Sequence, residues 1–393
     1  MSELDLLMIP GPIELEPAVS RALSQKTISH LDPAFIETFG AVLAQLRQIF
    51  GAPLGVPFVA AGGGTLAMEV ACANVAQPGD SVLVINTGYF CDRIAKVLER
   101  LGVSVEHLRA AVGEAPEPAQ LRQALESGAY KAVTITHVDT STGVRAPVRE
   151  YAAIAHEAGA LVIVDGVCSV GGEEFHQASW GVDVAFTASQ KALGAPPGLA
   201  VACFGPKAIA ARRALKRAPA SLYLDLEEWL PIFEAYEARK SSYFATPAVK
   251  LITALAASTA LLLLEGMSAR AARHRWIAHA FRAGWQALGL HTLPIEPTHM
   301  AHTLSAIYYP KGIDASLVAA VREEGVVVAA GLHPDLKATY FRVGHMGRIR
   351  PSDVLATLGA IERAMVRLGA SVELGAATSS AQRVLAGRMP HAD

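Results

Sequence analysis

Between about Phe58 and Phe204 the chain alternates short runs dense in Val, Ile, Ala and Phe with longer stretches whose apolar residues recur every three or four positions. The short runs, 81–85, 132–136, 161–164, 184–187 and 199–204, lack the polar alternation of a half-exposed strand. They predict strands of a sheet covered on both faces. The stretches between them predict helices, among them 66–76 and 148–158. Glycines 62 to 64 lead into the first of these, and Gly159 stands where a helix C-cap is expected for the second. Strand and helix repeated in this order are the signature of a wound α/β domain.

After Gly205-Pro206 the pattern changes to longer helical stretches, 207–217 and 269–288, with Lys, Arg and Glu along one side. Predicted strands at 303–309 and 326–330 and a predicted helix at 353–368 then outline a second, smaller α/β domain. A chain of 393 residues exceeds what one hydrophobic core supports, so two domains are expected. The expected division is an N-terminal arm at 1–14, a large domain at 15–264 and a small domain at 265–393. The apolar run 251–264 is broken by Ser258 and Thr259 and falls short of the roughly 20 residues a membrane span needs. It predicts a buried helix.

Composition narrows the function classes. With 52% hydrophobic and 18% charged residues the chain can bury a sizeable core and is not expected to be disordered. A formal net charge of -2 and the lack of a Lys/Arg cluster argue against a nucleic-acid partner. Cys72, Cys91, Cys168 and Cys203 form no C-x-x-C pair, which predicts neither a metal site nor disulfides and suits a reducing, cytoplasmic setting. The opening MSELDLLMIPGP has no basic segment followed by an apolar one, so no signal peptide is expected, and the Ala/Ser-rich tail ending in HAD carries no targeting address.

Three local features could carry chemistry. Ala61-Gly62-Gly63-Gly64-Thr65 follows a β-rich run and opens a helix, so its backbone N–H groups and the helix dipole could cradle an anion, with Thr65 adding a hydroxyl; a tight turn explains it equally well. Val162-Ile163-Val164-Asp165 delivers a carboxylate to the C-terminal end of a strand, where open α/β sheets bind ligands, and a buried charge there requires a cationic partner. Taken alone, Asp165 could also be a helix cap. Lys191 lies in the small-residue, Pro/Gly-rich loop SQKALGAPPG between two apolar strands. Desolvation there would favour the neutral amine that a Schiff base requires, against the alternative of a solvated loop lysine. Together the three describe an anion cradle, a carboxylate at a strand end and a lysine at the end of the next strand.

The strings SQKALGAPPG, VDGVCSVGG, THVDTSTG and FRVGHMG, with the PGP at Pro10–Pro12, resemble the class V aminotransferases, and within them the alanine–glyoxylate and serine–glyoxylate group. The likeness runs from about residue 8 to residue 368. It implies a pyridoxal 5′-phosphate (PLP) enzyme of transferase fold type I: a large domain with a mostly parallel sheet and a smaller C-terminal α/β domain. It further implies that Lys191 holds PLP as a Schiff base and then shuttles the substrate proton, and that Asp165 pairs with the pyridinium nitrogen, keeping the ring an electron sink. Val167 would pack on one face of the ring and Phe90, where the family commonly has tryptophan, would stack on the other. Gly63, Gly64, Thr65 and Gln190 would meet the phosphate, Thr140 the ring hydroxyl, and Arg342 the substrate carboxylate through its bidentate fork. Tyr243 and Thr246 match a pair that reaches the phosphate of the neighbouring subunit, which implies a homodimer with active sites at the interface.

The implied reaction moves an amino group from a small amino acid, alanine or serine, to glyoxylate or pyruvate by a ping-pong mechanism. Related enzymes using ureidoglycine or pyridoxamine as donor are the alternatives within the family. A cysteine desulfurase is disfavoured because no cysteine follows Cys203. A catalytically silent protein of the same fold is disfavoured by the presence of Lys191, Asp165 and Arg342. His30, His137 and His345 read first as packed or hydrogen-bonded histidines, with His30 and His345 at the substrate mouth as the alternative. Cys168 reads as a small buried apolar residue. Arg348 and Arg350 read as solvated, the alternative being a second carboxylate clamp.

Overall fold

The computed structural model describes residues 5–387; the first four residues of the arm and the last six of the tail lie outside it. Twelve strands occur among the described residues: β1 Leu6–Leu7, β2 Val56–Ala61, β3 Ser81–Asn86, β4 Ser104–Arg109, β5 Ala132–Thr136, β6 Leu161–Asp165, β7 Val184–Ala188, β8 Leu199–Phe204, β9 Leu304–Tyr308, β10 Val326–Val327, β11 Ala329–Ala330 and β12 Tyr340–Gly344. Seven of them form one sheet in the order β2-β8-β7-β6-β5-β3-β4. Pairing is parallel from β7 through β6, β5 and β3 to β4. Strand β8 runs antiparallel to both neighbours, so β2 regains the direction of β7.

All five strands expected in the large sheet are present within a residue or two. β5, β7 and β8 are buried at every position, as their uninterrupted apolar runs require when helices cover both faces. Strand β4, Ser-Val-Glu-His-Leu-Arg, was not expected. It closes one edge, none of its residues is buried, and it reads as polar because its side chains keep contact with solvent.

Beyond β8 the expected strand at 326–330 divides in two. Its first half, β10, pairs parallel with β1 of the N-terminal arm, and its second half, β11, pairs antiparallel with β12 in the three-stranded sheet β11-β12-β9. The core falls into two main clusters. One gathers buried residues between Phe35 and Leu262 around the seven-stranded sheet. The other joins Met8 of the arm to residues from Ile277 to Ala381.

The apolar run expected as a buried helix is the helix Val249–Glu265, and only one face of it is buried: Ile252, Leu255 and Leu262 pack inward while Leu264 is 84% exposed. Among the described residues no single helix is long and apolar enough to cross a membrane. The bent pair Val249–Glu265 and Met267–Ala287, meeting at 84°, passes on length and composition only together. A further helix, Ala376–Ala386, lies in the Ala/Ser-rich tail and packs Ala377 and Ala381 into the second cluster.

Candidate active site

Three adjacent parallel strands end together. In register Thr136 of β5 stands beside Asp165 of β6, which stands beside Phe186 of β7. The chain leaves these ends as the loops 137–140, 166–168 and 189–191, so Thr140, Val167 and Lys191 are delivered to the same C-terminal edge of the sheet, where an open α/β fold binds ligands.

Asp165 is 2% exposed, and among the described residues its carboxylate receives one hydrogen bond, from the Val167 backbone N–H at 2.9 Å. Burial, with a further contribution from the neighbouring Asp139, pushes its pKa up from 3.8 to about 7, against the opposing charges of Lys191 and Arg93. Lys191 is half-buried and its Nζ donates to the carbonyl of Pro10 in the arm. The arm crosses here so tightly that a Cβ on Gly11, whose φ is +102°, would lie 2.5 Å from Lys191 Cδ.

The glycine turn ends at Gly63, the N-cap of helix Gly64–Ala73, and no side chain caps that helix. A Cβ on Gly64 would meet Val167 Cγ2 at 3.2 Å and Ala188 Cβ at 3.4 Å, whereas one on Gly63 would meet open space. The uncapped helix end thus rests on the Val167 loop with its first N–H groups free to face an anion. Thr65 is exposed beside it, and Gln190 Oε1 is buried without a partner.

Phe90 lies in the first turn of helix Tyr89–Arg100, which follows β3. Its backbone N–H donates to Asp139 Oδ2 at 3.1 Å, while Asp139 Oδ1 accepts from the Ser141 N–H at 2.8 Å and the Ser141 hydroxyl at 2.5 Å. Arg93, one turn on, places its guanidinium 5.1 Å from the Phe90 ring centre and donates to Thr65 Oγ1 at 3.4 Å. Neither Asp139 nor Arg93 was singled out from the sequence. The Asp-x-Ser turn signal and the i, i+3 spacing from Phe90 are the cues that could have pointed to them.

Thr140 is buried, its hydroxyl 2.7 Å from Cys168 Sγ and its carbonyl accepting from Arg342 Nη1 at 3.2 Å. Arg342 comes from β12 of the small sheet and also donates through Nε to Ala330 at 2.9 Å. Burial lowers its pKa from the ordinary arginine value.

Asp165, Val167, Lys191, Gln190, Gly63, Gly64, Thr65, Phe90, Thr140 and Arg342 thus occupy connected positions along one sheet edge. Tyr243 and Thr246 do not join them through any hydrogen bond: Tyr243 is 65% exposed, with its ring 5.8 Å from that of His30, and Thr246 is also exposed. His137 turns toward Phe175 and Trp180, and burial lowers its pKa to about 4. His345 is fully buried, stacked on Phe281 and bonded to Ser305 and the His302 carbonyl. Cys168 is a buried thiol whose pKa burial raises. Arg348 is not solvated as expected but half-buried, donating to the Leu15 carbonyl and pairing with Glu14 at 3.4 Å, while Arg350 is exposed.

An uncapped helix N-terminus at one end, a buried carboxylate without a contacting cation at the other and a lysine amine suit a ligand that carries a phosphate, a basic ring nitrogen and an aldehyde. PLP is such a ligand, and the residues present fit it.

Residues 18–356 match the family described as aminotransferase class-V. The chain is 38% identical over 357 residues to alanine–glyoxylate aminotransferase 1 of Saccharomyces cerevisiae, covering 88% of this chain and 92% of that protein. It is 29% identical over 392 residues to the serine–glyoxylate aminotransferase of Arabidopsis thaliana, covering 98% and 96%. The crystal structure of ureidoglycine–glyoxylate aminotransferase from Bacillus subtilis superposes with a TM-score of 0.91 at 28% identity, over 98% of this chain and 99% of that one.

Proposed function

Because the chain belongs to the class V aminotransferases, a family of PLP-dependent enzymes of fold type I, we propose that it moves an amino group from a small amino acid, alanine or serine, to glyoxylate or pyruvate. What supports this reading is that adjacent strands of the large sheet deliver Asp165 and Lys191 to the same end, and that Arg342 reaches from β12 to the Thr140 carbonyl nearby. Bound PLP would supply an electron sink for the pair left at the substrate Cα.

The chain's own groups do the rest. Lys191 Nζ would hold the cofactor through its aldehyde carbon, and the free amine would be the base that moves the substrate Cα proton. Asp165 would pair with the ring nitrogen and keep it protonated, and Val167 and Phe90 would pack on the ring and exclude water. Gly63, Gly64, Thr65 and Gln190 would hold the phosphate and Thr140 the ring hydroxyl.

Arg342 holds the substrate carboxylate. Arg348 and Arg350, the nearest cations in sequence, are engaged with the arm or exposed, which favours a donor with one carboxylate. The glyoxylate named as acceptor for all three relatives supports the choice of oxo acid. We read residues 15–264 as the PLP-binding domain, 265–393 as the small domain and 1–14 as the arm, and we place the enzyme in the cytoplasm. We read the exposed Tyr243 and Thr246 as serving the partner subunit of a homodimer.

The test is a half-reaction screen of the PLP-loaded protein with alanine, serine and ureidoglycine, following the visible absorbance of the lysine-bound cofactor, beside Lys191→Ala. Alanine or serine is expected to bleach the band, and the variant to lose both band and turnover. Survival of both in Lys191→Ala would remove the assignment, and bleaching by ureidoglycine alone would replace the donor.

A further inference from the structure

Helix Met267–Ala287 begins where the two cores meet, and its first two turns carry Arg270, Arg273 and His274. A stretch this rich in arginine suggests a solvated face, yet Arg270 is 6% exposed and His274 1%. Arg270 reaches into the large domain. Its Nε donates to the Gly171 carbonyl at 2.6 Å and its Nη2 to the Ala192 carbonyl at 3.0 Å, one residue beyond Lys191. Arg273 reaches the other way, donating through Nη1 to Ile349 at 3.2 Å and through Nη2 to Gly347 at 3.0 Å, in the segment that continues from β12 and Arg342.

Glu265 ties the two arginines together. Its Oε2 accepts from Arg270 Nη1 at 2.7 Å and its Oε1 from Arg273 Nε at 2.5 Å. His274 adds a fourth strut: Nδ1 lies 2.7 Å from the Arg270 carbonyl and must carry the proton, which leaves Nε2 to accept from the Gly347 N–H at 2.9 Å. The bonds to residues 171, 192, 347 and 349 satisfy backbone groups outside the helix, and each guanidinium is a rigid fork, so neither loop can shift alone without breaking a hydrogen bond. The lysine loop is also packed directly against the turn that Arg270 holds, since a Cβ on Gly171 would lie 3.1 Å from the Ala192 carbonyl.

We propose that Glu265, Arg270, Arg273 and His274 form a positioning clasp that sets the place of Arg342 relative to Lys191, and so the alignment of the substrate carboxylate with the amine that moves its Cα proton. None of the four touches the site described above; they act through the backbone at 171, 192, 347 and 349. This rests on the reading of Lys191 and Arg342 given under the proposed function. The geometry divides the labour: Arg270 governs the lysine side and Arg273 the carboxylate side.

Arg273→Met cuts the link to 347–349 while leaving Arg270 on Ala192. In the PLP-loaded enzyme KM for alanine and for glyoxylate is expected to rise on the order of tenfold, the scale of a lost charge-assisted hydrogen bond. The value of kcat should stay within about threefold, and the pH at which the visible absorbance titrates should not move. Arg273→Lys, which keeps the charge and one donor arm, should recover part of the KM. Should Arg273→Met fail to fold, Arg273→Lys alone carries the comparison with a smaller rise in KM. Unchanged KM in the folded variant overturns the clasp, as does an equal loss in kcat and KM accompanied by a shifted titration. Arg342→Met measured alongside separates the two readings: if it raises KM and the Arg273 variants do not, only the clasp falls, whereas unchanged KM in Arg342→Met removes the carboxylate assignment and the clasp with it.

Discussion

Replacing Asp165 by asparagine should make the PLP-free protein more stable while destroying the enzyme. The carboxyl is 2% exposed and, without a contacting cation, ionises only at a pKa of about 7, against 3.8 in the open chain. Burial is the main cause, and the charge of Asp139 adds to it. Because the folded value lies above the unfolded one, the native state holds a proton that the unfolded chain has already released between about pH 4 and pH 7. The stability this proton confers is complete below 3.8 and is lost as pH rises through 7, amounting to about 4 kcal/mol for a displacement of this size. Asparagine has the same shape and no charge to desolvate, so at pH 8 it should recover up to that amount, roughly 5 °C in Tm for a chain of this length.

The assay is thermal or urea unfolding of Asp165→Asn and the parent protein, both stripped of PLP, from pH 4.5 to pH 8.5. The two curves should converge toward the acid end and separate toward the alkaline end, with the variant above. Adding PLP should reverse the order, because the ionised carboxylate then faces a protonated ring nitrogen and the amide does not. A PLP-free variant that is no more stable than the parent at pH 8 would refute the claim that this carboxylate is buried without compensation. A variant that gained as much from PLP as the parent would refute its pairing with the ring nitrogen.

Two further outcomes follow from the same site. Gly11→Ala places a methyl group on Lys191 Cδ at a backbone conformation with φ of +102°, and kcat/KM should fall by at least about tenfold from the displaced lysine and a backbone cost of about 1–2 kcal/mol; a wild-type rate and spectrum would mean that the arm does not confine the lysine. Mixing Lys191→Ala subunits with Tyr243→Ala/Thr246→Ala subunits should restore about a quarter of wild-type activity from two inactive parents, since half of randomly paired two-fold dimers carry one complete site; a mixture as inactive as its parents would assign the pair to its own chain.

The strands of the large sheet and the placement of Asp165 and Lys191 at strand ends were legible because they depend on local pattern. An uninterrupted apolar run must be covered on both faces, and a polar residue closing such a run must stand at the sheet edge. The same rule missed β4, since an edge strand with one neighbour has no need of apolar side chains on both faces. It also read 326–330 as one strand, although its halves pair with partners some 320 residues and a dozen residues away in the chain, β1 and β12.

Charged residues show the limit most plainly. Arg270, Arg273 and Arg348 look alike in sequence, each a cation in a polar stretch, yet Arg270 is buried against two backbone carbonyls, Arg273 bridges Glu265 to Gly347, and Arg348 faces the arm. Composition and periodicity determine which segments must leave water and hence the fold class and the edge on which a ligand can sit. Which cation is desolvated, and which carbonyl it satisfies, depends on groups far apart in the chain arriving within hydrogen-bond distance of one another, and only the folded chain decides that.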